Sequence, residues 1–176
     1  MIIAINPGHY AGEENYDSGA ANEALGLREV DINIAVANKL QPLLEDAGHE
    51  VVYIHAGELY EITDASNEAG ADIFVSIHCN SAANESASGT ETFYFAGSSN
   101  GRSLAALVNA EMTGLGLEDR GIKCNNLYVT RNTDAVAILV ELGFLSNRDE
   151  GMLLGAEDFQ QEAAEAICRG VCNYIG

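Results

Sequence analysis

The chain has 176 residues, of which 47% are hydrophobic and 20% charged, an ordinary globular balance with enough apolar material for one large core. This excludes a disordered chain, a collagen-like chain and a small disulfide scaffold, and no apolar run approaches the ~20 residues that span a bilayer. Eight Lys and Arg stand against 27 Asp and Glu, a net charge of −19. Acids spread along the whole chain repel nucleic acid and anionic membranes, so neither is expected as a partner.

In chain order, Ile2, Ile3, Ala4 and Ile5 predict a first strand over 2–5. No basic segment precedes this run, and it is too short for a signal-peptide core, so no export signal is expected in this chain. A loop rich in Gly, Asn and acids follows from 6 to about 25. Ile32, Val36, Leu40, Leu43 and Ala47 recur at helical spacing, which predicts a helix over 28–47 that stops at Gly48. A second strand is expected over 51–54 and a short helix over 62–69. Residues 72–78 form the most apolar strand, with Ile73, Phe74, Val75 and Ile77. Further strands are expected over 90–95, 127–130 and 137–142, and helices over 104–112 and 159–174. Strands alternating with helices predict a single α/β domain, its apolar strands covered on both faces.

The cysteines are too few and too scattered for a disulfide framework. Cys168 and Cys172 share one helical face, where core packing as free thiols competes with a zinc or redox pair.

Four polar residues stand where a core would not choose them. His9 follows the first strand in Asn6-Pro7-Gly8-His9, and His78 ends the most apolar strand in Ser76-Ile77-His78-Cys79-Asn80. Ligands in open α/β sheets gather outside the carboxyl ends of strands, so these two imidazoles can be neighbours. Glu29 starts the long helix, where the dipole favours an acid in any case; the 6–25 loop can return that helix end to the first strand's tip. Glu141 lies within Ile138-Leu139-Val140-Glu141-Leu142. A carboxylate in so apolar a strand needs a cation, a metal or a proton, and Arg120 or Arg131 would serve as a structural partner. Two imidazoles and a carboxylate make a His2Glu set, the donor set of a catalytic zinc with one position open for water. A nearby acid that does not bind the metal can then move the proton in amide hydrolysis. Glu23 competes with Glu29 as the carboxylate ligand, and His55 competes as an imidazole ligand. His49 reads as a turn residue. Cys79 beside His78 suggests a Cys-His pair, but adjacent strand residues point to opposite faces.

The ordered pieces Ile3-Ala4-Ile5-Asn6-Pro7-Gly8-His9, Gly26-Leu27-Arg28-Glu29, Ala71 through Asn80, Gly89-Thr90-Glu91-Thr92-Phe93-Tyr94, Asp119-Arg120-Gly121-Ile122-Lys123, Leu127-Tyr128-Val129 and Leu139 through Asn147 cover nearly the whole chain. Together they resemble the zinc-dependent N-acetylmuramoyl-L-alanine amidases of the amidase-3 family, the catalytic module of many bacterial autolysins and phage endolysins. The resemblance implies His9, Glu29 and His78 as ligands of one Zn2+, Glu141 as the catalytic glutamate, and Glu29 rather than Glu23. Asn80 is implied in substrate binding or in orienting that region. The implied fold is a twisted, mostly parallel sheet of about six strands with helices on both faces, spanning 1–176 as one catalytic domain. The implied reaction is hydrolysis of the amide between the lactyl group of N-acetylmuramic acid and L-alanine, with peptidoglycan as the partner. A zinc exopeptidase, another amidohydrolase and an inactive wall-binding module are the alternatives. Action on the cell wall is expected, after cytoplasmic synthesis with release by another route or as the excised domain of an exported protein. The stretch before the His78 strand is short and acidic where family members often carry arginines, Cys79 replaces a small residue, and Asp134-Ala135-Val136 stands where Met-Pro is usual.

Overall fold

A computed structural model describes residues 1–12 and 16–176; part of the expected 6–25 loop, residues 13–15, lies outside the described residues. The elements run β1 (Ile2–Pro7), β2 (Ala21–Asn22), β3 (Leu27–Arg28), α1 (Glu29–Asp46), β4 (Glu50–Tyr53), α2 (Leu59–Glu68), β5 (Ile73–Asn80), β6 (Thr90–Phe95), α3 (Ser99–Thr113), β7 (Asp119–Asn125), α4 (Tyr128–Arg131), β8 (Val136–Phe144), α5 (Arg148–Leu154) and α6 (Glu157–Ile175). Six strands form one sheet in the order β4-β1-β5-β8-β6-β7, and β2 pairs with β3 in a separate ribbon. All neighbours in the large sheet are parallel except β6 and β8. The expected single-domain, mostly parallel α/β sheet of about six strands is the observed one.

Period two along the strands sorts the side chains into two unequal cores. Ile3, Ile5, Ile73, Val75, Ile77, Ile138, Val140 and Leu142 face one way, against α1, α3 and α6. Ala4, Phe74, Ala137 and Leu139 face the other way, and only Ile62 of α2, Val129 of α4 and Ile54 join them as buried partners. The second face is therefore covered over part of its length. The next positions of the same parity, Asn6, Ser76, His78 and Glu141, extend beyond that small core. Asn6 and Ser76 close it with polar bonds: Ser76 Oγ donates to Asn6 Oδ1 at 2.9 Å, and Asn6 Nδ2 donates to the Ile54 carbonyl at 3.0 Å.

The strand expected over 127–130 is instead the short helix α4. Four residues are too few for periodicity to separate strand from helix. Local bonds decide the matter: Arg131 N–H donates to the Leu127 carbonyl and Asn132 N–H to the Tyr128 carbonyl. Strand β7 escapes sequence reading because it is a polar sheet edge, with Asp119, Arg120, Gly121 and Lys123. Such charge is how edges avoid pairing with other chains.

Helices α3 and α6 touch backbone to side chain at Gly170. A β-carbon there would lie 2.6 Å from Val108 Cα. Gly170→Val should therefore wedge the two helices apart and cost about 1–3 kcal/mol, read as a lower urea midpoint with an unchanged slope.

Candidate metal centre

The strand tips and the start of α1 meet at one carboxylate. Helix α1 has no side-chain cap. Instead the 18–20 segment folds back over its first turn: Glu29 N–H donates to the Ala20 carbonyl at 2.8 Å and Val30 N–H to the Ser18 carbonyl at 3.2 Å. This returns Glu29, which is 4% exposed, to the end of β1. Its Oε1 lies 2.9 Å from His78 Nδ1 and accepts from Cys79 N–H at 3.0 Å. Its Oε2 lies 3.1 Å from His9 Nε2 and accepts from Ala20 N–H at 2.8 Å. Asn33, one turn further along α1, donates to the Gly8 carbonyl at 3.2 Å and fixes the other side of the same corner.

His9 itself sits at φ 65°, a left-handed conformation that is uncommon outside glycine. Its Nδ1 bonds Asp17 Oδ2 at 2.7 Å. That contact turns Nε2 inward, as an outer carboxylate does for a metal-bound imidazole. The ligand atoms of His9, Glu29 and His78 all lie within 4.8 Å of one another. The cradle around them is tight. A β-carbon on Gly8 would meet the His78 ring at 2.1 Å, and one on Gly19 would meet His9 and Glu29 at 2.4–2.5 Å. Gly19 also needs its φ of 63°. Two imidazoles, a buried carboxylate and glycines at the approaches suit a small divalent cation with mixed nitrogen and oxygen ligands.

The charges fit the same reading. Burial opposes the Glu29 carboxylate, yet the bonds to His78 and His9 hold it well below the usual carboxylate range. Burial likewise opposes a charged His9, but Glu29 and Asp17 outweigh it and raise its pKa to about 9. His9 thus carries a proton that a metal ion would have to displace.

Glu141 stands opposite His78 in the β5–β8 ladder. Its Oε2 is buried and has no hydrogen-bond partner among the described residues. Burial, reinforced by the carboxylates of Glu29 and Glu91, pushes its pKa up to about 8. Arg120, offered by the sequence as a structural partner, pairs with Glu91 instead, and among the described residues Arg131 makes no ion pair with Glu141.

Of the competing residues, Glu23 is exposed, and His49 and His55 lie outside the ligand cluster. His55 packs edge-on against Tyr10, ring centroids 5.0 Å apart. Cys79 turns its thiol to Asn33 on the other face of β5. Cys168 and Cys172 hold their sulfurs 4.0 Å apart as free thiols, and Cys168 packs against the larger core. An apolar cavity of about 220 Å³ opens beside His9 and His78, walled by Leu59, Ile62, Tyr128 and Leu139.

Three acids of the site escaped sequence reading. Asp17 lies in the loop and orients His9. Glu150 is buried and accepts from Gly89 and Phe144 N–H, each at 2.6 Å, tying the start of β6 to the end of β8. Glu91 is 4% exposed and directly opposite Glu141 across β6 and β8. It accepts from Asn80 Nδ2 at 2.9 Å, Arg120 Nε at 2.8 Å and Lys123 Nζ at 2.5 Å. The one available signal for Glu91 was an acid in a Thr-rich, aromatic strand. Asn80 spends its amide nitrogen on Glu91 and its oxygen on Ser81 N–H.

Known proteins agree with this architecture. Residues 3–173 match the family model described as N-acetylmuramoyl-L-alanine amidase. The chain is 37% identical to the uncharacterized protein YqiI of Bacillus subtilis, covering 93% of this chain and 82% of that one. It is 34% identical to the endolysin of Bacillus phage SPP1, covering 94% of this chain and 64% of the endolysin. The catalytic domain of CwlV, an N-acetylmuramoyl-L-alanine amidase from Bacillus (Paenibacillus) polymyxa var. colistinus, superposes with a TM-score of 0.90 at 34% identity, over 99% of this chain and 97% of that one.

The Glu91 cluster has a pH signature. Burial opposes its charge, but Lys123 and Arg120 win and hold its carboxyl below the usual range. Its stabilisation is therefore present above the ordinary carboxylate pKa and lost as pH falls through the lower folded value. Glu91→Gln should cost roughly 1–3 kcal/mol at pH 7. The Tm gap between wild type and variant should narrow as pH falls below the ordinary carboxylate range; a gap that widens would contradict the pairing.

Proposed function

Because the chain belongs to the N-acetylmuramoyl-L-alanine amidase family, we propose that it hydrolyses the amide between the lactyl group of N-acetylmuramic acid and L-alanine in peptidoglycan. The observation that carries this reading is the unpartnered, buried oxygen of Glu141 beside the His9–Glu29–His78 cluster. Residues 1–176 act as the catalytic domain, and the cell wall is the site of action. No helix among the described residues is long and apolar enough to cross a membrane.

His9, Glu29 and His78 would hold one zinc ion, a metal well matched to two imidazoles and a carboxylate. When bound, zinc supplies Lewis acidity to the amide carbonyl and lowers the proton affinity of water at the site. Asp17 keeps His9 in the tautomer that binds through Nε2. Glu141 is the general base and acid. Its carboxylate takes a proton from the water whose oxygen attacks the lactyl carbonyl. It then returns that proton to the alanine nitrogen as the carbon–nitrogen bond breaks, leaving a lactyl carboxylate and a free amine. A raised pKa suits the donating half of this cycle. A cation held by Glu29 would offset the neighbouring carboxylates and favour the ionised form needed for the first half. Asn80 acts through Glu91, as a positioning residue.

Elemental analysis should find about one zinc per chain, and His78→Ala should lose most of it. Full zinc content in that variant would move the metal elsewhere.

Muropeptides should give glycan and a peptide beginning in L-alanine by mass spectrometry, whereas release of single terminal amino acids would indicate an exopeptidase. Glu141→Gln should keep its zinc and lose roughly 10²–10⁴-fold in kcat. Undiminished turnover in that variant would remove Glu141 from the mechanism.

A further inference from the structure

Among the described residues, Glu91 is the one carboxylate shared by two Lys or Arg side chains. One cation would suffice to match its charge, and its second oxygen is already bonded by Asn80. The cluster of Glu91, Arg120 and Lys123 therefore carries one surplus positive charge. Its donors are not exhausted. Arg120 uses Nε on Glu91 and Nη1 on the Ser88 carbonyl, and Nη2 makes no hydrogen bond among the described residues. Lys123 uses a single donor, on Glu91. The two side chains remain 32% and 38% exposed, and Arg120 is braced over the Phe144 ring at 4.8 Å.

The cluster's position gives the surplus a meaning. Glu91 faces Glu141 across one strand spacing, ~4.8 Å. Lys123 lies opposite Phe93 in β7, two residues along from Glu91. The cations gathered on Glu91 are thus held by the residue directly opposite Glu141, in a chain whose net charge is −19. An anionic group would find little welcome elsewhere on such a surface.

We propose that Arg120 and Lys123 form a subsite for a carboxylate of the substrate, carried on the peptide side within one or two residues of the scissile amide. The inference rests on the amidase reading. In that substrate the lactyl carboxyl is spent in the scissile bond, so the nearby free carboxylate belongs to the peptide. A guanidinium with a free edge beside an ammonium is a donor set suited to a carboxylate. Recognition acts through binding, so it appears in KM more than in kcat.

The test uses two synthetic muropeptides that differ only at the second stem residue, whose carboxyl is either free or a carboxamide. The wild-type protein should favour the free carboxylate about tenfold in kcat/KM, mainly through KM. Lys123→Gln should bring that ratio toward one, and Lys123→Arg should keep it. Equal efficiency on both substrates in the wild type, or an unchanged ratio in Lys123→Gln, would overturn the subsite while leaving the amidase reading intact. If Lys123→Gln fails to fold, the wild-type ratio decides alone. Failure to cleave either substrate would overturn the amidase reading and the subsite with it.

Discussion

The site depends on one buried carboxylate that four donors from three chain segments converge upon. Glu29 receives His9 from the end of β1, Ala20 from the returning loop, and His78 with Cys79 N–H from the end of β5. A carboxylate in a low-dielectric corner is expensive unless each lone-pair direction is met. The three segments are therefore held in place by the penalty for leaving it unmet. The same carboxylate gathers the two imidazoles. Closure of the 18–20 segment over α1 and the gathering of His9 and His78 thus rest on the same side chain.

The sheet supplies the second condition, an open face at the right height. Three helices cover one face fully, and α2 with the short α4 covers part of the other. Side chains of one strand parity therefore pass from apolar, in Ala4, Phe74 and Leu139, through polar, in Asn6 and Ser76, to ionisable, in His78 and Glu141. A longer α2 or a further helix would bury those last positions. The Asn6–Ser76 bond at 2.9 Å marks the boundary between core and site.

Much of this was legible in the sequence because it follows from period and strand ends. His9 and His78 stand just beyond apolar strands, and Glu141 interrupts one. The helix over 28–47 matches α1 closely, since its apolar stripe is regular. Other parts were not legible, for physical reasons. Leu127 to Thr130 is apolar and short, and only its local hydrogen bonds make it helical. Strand β7 is charged because it is an edge. Glu91 and Asp17 act through partners distant in sequence, so neither periodicity nor composition marks them. The choice between Glu29 and Glu23 turns on a loop path that no periodicity encodes and that only the family resemblance marks.

The buried acids provide the sharpest internal comparison. Glu29 meets four donors, Glu91 three and Glu150 two backbone amides. This chain can evidently satisfy a buried carboxylate when stability is the aim. Glu141 lies opposite Glu91 across β6 and β8, yet its Oε2 receives no donor among the described residues. Arg120 and Lys123 are drawn to Glu91, one strand away, and so do not neutralise Glu141. Unpaired, Glu141 retains a proton affinity that Glu29 and Glu91 have surrendered to their partners. Its lack of a partner is a cost to the fold that the proposed proton transfer would account for.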